Sequence, residues 1–313
     1  MARAQKENRN DFRSGLVAIL GRPNVGKSTL LNRLVGQPVA IVTPVAQTTR
    51  RRIRGVIHRP GAQLVLIDTP GVFLQRKQQA ALLGQMRAEA LAALHEADLA
   101  LLLVEAGGRG CGADDEEDRL VLELLRRSGK KAFLAINKID LLSDGRTLGA
   151  VVDFYRGLGM FEEILPISAL KRRGLGRLLS ALEKRLPPGP PFFPPDMFTD
   201  ESERSLCAEL IRQQIILQTE DEIPFRVAVG IESFREGADK QPTVIQALVY
   251  VERDSQKGIV IGRGGALIKA IGSAARRQME KLLGGKVYLE LKVKTAPDWS
   301  HTRSGLRRTG QLL

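Results

Sequence analysis

Gly21-Arg22-Pro23-Asn24-Val25-Gly26-Lys27-Ser28 fills every fixed position of a G-x-x-x-x-G-K-S phosphate loop. It follows the apolar run Leu16-Val17-Ala18-Ile19-Leu20 and precedes the helical pattern Thr29 to Val35, so the chain must run strand, glycine loop, helix. Glycine at 21 and 26 lets backbone N–H groups curl around a polyphosphate, with the positive end of the new helix behind them. Lys27 is placed to reach β- and γ-phosphate oxygens, and Ser28 to ligate Mg²⁺. A plain glycine turn before a helix would not need the lysine and the serine as well.

The base is selected further along. Lys131-Ala132-Phe133-Leu134-Ala135-Ile136 reads as a buried strand, and Asn137-Lys138-Ile139-Asp140 stands at its carboxyl end. A carboxylate accepts from both N1–H and N2–H of guanine, which adenine does not offer, so Asp140 is read as a guanine selector. The tetrapeptide alone is a weak signal; the order of motifs strengthens it. The phosphate loop is followed by Asp68-Thr69-Pro70-Gly71 after Leu64-Val65-Leu66-Ile67, then by Asn137 to Asp140, then by Ser168-Ala169-Leu170 after Ile164-Leu165-Pro166-Ile167. Four motifs at strand ends in this sequence resemble a translation-factor-type GTPase over roughly the first 185 residues. That resemblance implies an α/β P-loop domain, a mixed and mostly parallel sheet with helices on both faces, binding GTP and GDP with Mg²⁺.

A chain of 313 residues suits two domains. The two cysteines, Cys111 and Cys207, fall in different predicted domains, which argues against a disulfide and for a reducing compartment. The longest apolar runs, such as Leu99 to Val104, are too short to span a bilayer and read as buried parallel strands. The polar start, Met1 to Arg13, lacks the apolar segment of a secretory signal. The acidic run Asp114 to Asp118 reads as a solvated helix start, where carboxylates favour the dipole.

The net charge of +13 points to an anionic partner, and its distribution says where. Residues 197–252 carry 5 basic and 11 acidic side chains, whereas 253–294 carry 10 and 3. Between the two halves of the chain, Leu186-Pro187-Pro188-Gly189-Pro190-Pro191-Phe192-Phe193-Pro194-Pro195 can form neither helix nor central strand, and reads as a semi-rigid spacer. Before it, Gly174 to Arg185 reads as an amphipathic closing helix. Beyond it, the pattern is helix (Glu203 to Thr219), strand (Phe225 to Phe234), strand (Thr243 to Val251), two helices, and strand (Val287 to Val293). The two helices meet at Gly262-Arg263-Gly264-Gly265, a G-x-x-G loop inside the basic stretch. Such a loop admits a nucleic-acid backbone closely, with Arg263 and Lys269 near phosphates and single-stranded bases in the adjoining groove.

The phosphate loop written GRPNVGKS, the segment Gln47-Thr48-Thr49-Arg50, the DTPG and NKID motifs and a C-terminal VIGRGG together resemble the Era family of bacterial ribosome-associated GTPases over nearly the whole chain. The implied organisation is a polar extension (1–14), a G domain (15–186), a Pro-rich linker (187–199), an α+β type II KH domain (200–294) and a tail (295–313). The implied function is a GTP-hydrolysing switch that binds the 3′ end of 16S rRNA and acts on the small ribosomal subunit. The resemblance assigns Asp68 to Mg²⁺ through water, the Gly71 N–H to the γ-phosphate, and a threonine of Thr48-Thr49 to the metal shell. Thr49 is the choice because it directly precedes Arg50. Gln47, Thr48, Thr49, Arg50 and Arg51 are then switch I, and Lys27, Thr49 and Gly71 the catalytic set.

Val72 stands where Ras-like enzymes have a glutamine that orients the attacking water, so slow intrinsic hydrolysis is expected, with water placed by backbone, by Gln75 or Arg76, or by a partner. Asn24 has two readings of equal weight, a K⁺ ligand as in related GTPases or a cap of its own loop. The Arg50-Arg51-Arg52-Ile53-Arg54 cluster also has two, an rRNA contact or a charged strand edge. Trp299 and Arg307 match tail positions of the family and are expected to contact RNA, but His301, Thr302 and Arg303 replace its usual acids, which should strengthen phosphate attraction. Competing readings are a signalling GTPase bound peripherally to anionic lipid at the inner face of the cell membrane, and an RNA-binding module with a merely structural nucleotide site. A cytoplasmic monomer is the default expectation.

Overall fold

The computed structural model describes residues 12–71, 80–107, 116–143, 145–238 and 241–311. They form two compact units, one of residues up to 40, 49–71 and 86–200, the other of 201–311 with segments 41–48 and 80–85.

The first unit is organised by a six-stranded sheet. In chain order its elements are β1 (Arg13–Leu20), α1 (Lys27–Val35), β2 (Ile53–Arg59), β3 (Ala62–Asp68), α2 (Ala80–Glu96, whose first turns fall in the second unit), β4 (Leu99–Glu105), α3 (Glu116–Ser128), β5 (Lys131–Asn137), α4 (Gly145–Gly157), β6 (Phe161–Pro166) and α5 (Leu175–Arg185). The strand order is β2-β3-β1-β4-β5-β6, with β2 antiparallel to β3 and the remaining pairs parallel. The uninterrupted apolar run of β4 has a direct cause. Leu99, Leu101 and Leu103 point into one core with Leu30 and Leu31 of α1 and Leu178 and Leu182 of α5. Ala100, Leu102 and Val104 point into a second core with Val121 and Leu125 of α3 and Val151 and Tyr155 of α4. A strand covered by helices on both faces has no solvent side for polar residues. Every loop that leaves β1, β3, β4 and β5 therefore emerges on the carboxyl side of the parallel strands, where ligands bind in such sheets.

The proline-rich stretch is not a free spacer. Through residue 200 it belongs to the first unit. Gln63 takes both Phe192 N and Phe193 N on Oε1, at 2.6 and 3.0 Å, and donates from Nε2 to Phe193 O. Val56 N donates to Phe198 O at 2.8 Å, so the segment covers the outer edge of β2. An edge strand left bare would invite pairing with another chain. Arg52 and Arg54 are engaged on the same side, with Glu89, Glu96 and Asp200, and Arg50 is buried. Arg52 and Arg54 are thus held in ion pairs within the first unit.

The second unit contains α6 (Glu203–Gln218), α7 (Ile223–Arg226), β7 (Ala228–Arg235), β8 (Thr243–Val251), α8 (Asp254–Ile261), α9 (Ala266–Leu283), β9 (Val287–Thr295) and α10 (Arg303–Arg308). The sheet order is β7-β8-β9, antiparallel then parallel. Ile211 and Ile215 of α6 and Ala275 and Met279 of α9 share one core with Ile245, Ala247 and Val249. Phe225 and Arg226, read from sequence as the start of a strand, lie instead in the single turn α7. Pro224 explains the difference, because it sits at the start of a helix at no hydrogen-bond cost and would be poorly placed in a paired strand. No single helix among the described residues is long and apolar enough to cross a membrane.

Candidate nucleotide and nucleic-acid sites

The phosphate loop joins β1 to α1. Gly21 has φ 149 and Gly26 φ 101, and a Cβ at 26 would lie 2.5 Å from Asn137 Nδ2, so no side chain is tolerated there. Asn24, at φ 62, occupies the left-handed region that asparagine enters most readily among residues with a side chain.

Lys27 is buried at the loop centre and donates from Nζ to the Gly21 and Arg22 carbonyls, each at 2.9 Å. Burial lowers its pKa to about 8, against the opposing charges of Asp68, Glu117 and Asp118. Asp68 is fully buried at the end of β3, and desolvation raises its pKa against Lys27 and the hydroxyls of Ser28 and Thr49.

Three oxygens expected from sequence to serve a metal converge in the fold. Ser28 Oγ donates to Asp68 Oδ2 at 2.6 Å and lies 3.0 Å from Thr49 Oγ1, which is 3.4 Å from the same carboxylate oxygen. Asp68 Oδ1 is buried and has no hydrogen-bond partner among the described residues. A hard-oxygen cluster with one lone carboxylate oxygen fits Mg²⁺. Thr48 is turned away into its own loop, with Oγ1 against Thr43 Oγ1 at 2.5 Å and donating to Val45 O at 2.7 Å. Of the two threonines, Thr49 is the one at the cluster. Gln47 lies beside them at φ 63, and Arg51 is half-buried.

Thr69 Oγ1 donates to Ile19 O at 2.7 Å, fastening the DTPG turn to β1. A Cβ at Gly71 would come within 2.8 Å of Pro23 N. Glycine is therefore required for this turn, which also includes Pro70, to lie against the phosphate loop. Val72, with Gln75 and Arg76, lies outside the described residues, as does Cys111.

On the base side, Asn137 Nδ2 donates to Val25 O at 2.8 Å and its Oδ1 accepts from Ala169 N at 2.9 Å. One side chain thus ties the phosphate loop, the N-K-x-D turn and the Ser168-Ala169-Leu170 turn. Lys138 has φ 62 and caps the 3₁₀ turn Ile139–Leu141, which carries Asp140. Asp140 Oδ1 is buried without a hydrogen-bond partner among the described residues, an acceptor available to a donor-bearing base edge. Ser168 closes its turn with Arg173 through reciprocal backbone bonds of 3.0 Å, and Leu170 is exposed beyond it. Glu105, at the end of β4, was not singled out from sequence. Its signal was an acid ending an apolar strand next to the N-K-x-D strand.

The G-x-x-G loop stands where α8 meets α9. Gly262, Gly264 and Gly265 have φ of 72, 58 and 78, and a Cβ at 262 would meet Leu267 Cβ at 2.7 Å. Arg263 and Lys269 are exposed. Beside the loop lies a hollow of ≈ 380 Å³ lined by Leu217, Ile259 and Leu267 and rimmed by Glu220, Asp221 and Glu222. Apolar walls with carboxylate acceptors at the rim suit unstacked bases.

The tail departs from expectation at one residue. Arg307 is exposed, but Trp299 is fully buried and its Nε1 donates to Arg226 O at 3.2 Å. Beside it the buried Glu252 carboxylate takes Arg226 Nη1 at 2.7 Å and the Ser300 hydroxyl. The indole is the anchor that folds the tail onto its own domain, with no face left for a base.

Residues 16–138 match the family described as 50S ribosome-binding GTPase, and residues 222–300 match the KH domain family. Over 301 residues the chain is 46% identical to GTPase Era of Geobacter metallireducens, covering 96% of this chain and 98% of that protein. It is 44% identical over 308 residues to GTPase Era of Synechocystis, covering 96% and 92%. Two solved structures superimpose with a TM-score of 0.90 over 96% of this chain and 100% of theirs. One, 38% identical, is a variant of Aquifex aeolicus Era bound to GDP.AlF4⁻. The other, 39% identical, is Era in complex with MgGDPNP and nucleotides 1506-1542 of 16S ribosomal RNA.

Proposed function

We infer, because the chain belongs to the Era family of GTPases, that its two units are a GTP-driven switch and a reader of the 3′ end of 16S rRNA, acting in maturation of the small ribosomal subunit. The observation that carries the nucleotide half is the convergence of Ser28, Thr49 and Asp68 beside Lys27, with Asp140 holding a lone buried acceptor on the base side.

Each side chain then has a task. Lys27 neutralises β- and γ-phosphate oxygens inside a loop whose N–H groups point at them. Ser28 directly and Asp68 through water would hold Mg²⁺, which would spread the charge that develops on the phosphates, and Thr49 would complete the metal shell while the γ-phosphate is present. The Gly71 N–H meets that phosphate. Loss of the phosphate frees both segments, an order-to-disorder device common to such switches. Asp140 selects guanine. Water is positioned by a group other than a side-chain amide at 72, since Val72 has none. K⁺ at Asn24 is one source of added positive charge.

On the RNA side, Gly262 to Gly265 admits a phosphate backbone, Arg263, Lys269 and Arg307 pair with phosphates, and the hollow beside Ile259 receives bases. A cytoplasmic site of action follows from that partner. The test is multiple-turnover GTP hydrolysis in Mg²⁺ with K⁺ or Na⁺, together with binding of an RNA covering the 3′ end of 16S rRNA and of anionic liposomes. GTP turnover with RNA binding supports the inference. Liposome binding without RNA binding overturns its RNA half, and absence of turnover overturns its enzymatic half.

A further inference from the structure

The strand order places β4 between β1 and β5, so the carboxyl end of β4 lies between the phosphate loop and the N-K-x-D turn. Glu105 is the last residue of β4 and is in register with Asn137. Its Oε2 lies 3.0 Å from Lys138 Nζ and 3.6 Å from Arg22 Nη2. A single carboxylate oxygen therefore faces one cation from the base-reading turn and one from the phosphate loop. The neighbouring backbone is fixed as well, since Ala106 N donates to Asn137 O at 2.9 Å. Arg22 has a second acid near it, Asp118 of α3, at 3.8 Å.

Lys138 holds a left-handed conformation that a lysine seldom adopts. Something must keep it there, and the Glu105 ion pair is in position to do so. A carboxylate this close to a polyphosphate also has a cost, because like charges repel. By charge alone, removing Glu105 would tighten nucleotide binding.

We propose that Glu105 is a positioning residue that sets the spacing between the phosphate subsite and the base subsite by holding Arg22 and Lys138 at once. The proposal rests on the nucleotide reading above and extends it to the rigidity of the site. It makes a prediction opposite in sign to simple electrostatics: neutralising Glu105 loosens GDP and GTP.

The experiment is release of fluorescent GDP, in Mg²⁺, from the full chain and from Glu105→Gln, Arg22→Gln, Lys138→Met and the two double variants with Glu105→Gln. Thermal unfolding of each without nucleotide is recorded alongside. The pairs are partly exposed, so the expected acceleration for Glu105→Gln is about three- to tenfold, with the unfolding temperature unchanged. The double variants should release little faster than the singles, because a shared linkage is lost only once. Release that is unchanged or slowed overturns the proposal, as do strictly additive effects. Equal loss of unfolding temperature and of nucleotide would reduce Glu105 to a structural role. Should Glu105→Gln fail to fold, Glu105→Asp, which keeps the charge but cannot span both cations, is expected to accelerate release, and parental release would overturn the proposal. Failure of the parent chain to retain fluorescent GDP would instead sink the nucleotide reading itself.

Discussion

Asn137 Nδ2 donates to the Val25 carbonyl at 2.8 Å, and that bond fastens the strand that reads the base to the loop that holds the phosphates. The same side chain accepts from Ala169 N at 2.9 Å. Both backbone groups are buried, and an unpaired buried polar group costs roughly 1–3 kcal/mol. Asn137→Ala is therefore expected to lower the unfolding free energy by about 2–4 kcal/mol and to weaken GTP and GDP alike. Urea unfolding with and without nucleotide measures both. A fully stable variant with parental affinity would show that the three loops are held by other means.

Asp140→Asn tests base selection. A carboxylate accepting two N–H bonds from guanine is replaced by an amide that can donate to the 2-oxo group of xanthine. Hydrogen bonds to a charged group contribute about 1.5–3 kcal/mol, so GTP affinity should fall roughly ten- to a hundredfold while xanthosine triphosphate gains. Competition between the two nucleotides against fluorescent GDP reads the exchange. Retained guanine preference would remove Asp140 from this role.

For the RNA face, Gly262→Asp places a Cβ against Leu267 at a positive φ and adds a negative charge where phosphates would approach. Binding of the 3′ end of 16S rRNA should weaken and its salt dependence flatten, while GTP affinity stays at the parental level. Arg263→Gln, at an exposed position with no backbone constraint, serves as the gentler variant. It should reduce the slope of log affinity against log salt by about one. Two variants that bind RNA as the parent does would leave the G-x-x-G loop a plain helix junction.

How much of this was legible in the sequence depended on whether the physics was local. Gly21 to Ser28, Asp68 to Gly71 and Asn137 to Asp140 are short runs whose spacing is set by backbone geometry at strand ends, and each lies at the end of the strand expected from its apolar run. That Thr49 rather than Thr48 lies beside Ser28 and Asp68 agrees with the choice made from its place before Arg50. What failed depended on distant partners. Trp299 was expected to contact RNA because it matches a tail position of the family, yet it is fully buried with its Nε1 on Arg226 O, over forty residues earlier in the chain. The proline-rich stretch had the composition of a spacer, but Gln63 and Val56 supply the hydrogen bonds that fasten it. Glu105 had no motif around it, and its two cations come together only through the β1-β4-β5 strand order.

Cys207 gives a pH-dependent prediction. It is fully buried on α6, and burial, then the charge of Glu203, pushes its thiol up to about 12 from an ordinary value of 9. The folded state thus keeps a proton that the unfolded chain gives up first. The stabilisation this represents is complete below pH 9 and is lost as pH rises toward 12. At pH 8 the thiolate population in the fold should be about a thousandfold below that of the unfolded chain, and the sulfur is also shielded. In a Cys111→Ser background, Cys207 is expected to react with a thiol reagent only as fast as the protein opens, and quickly in denaturant. Rapid labelling of the folded protein at pH 8 would show that α6 does not keep this thiol buried.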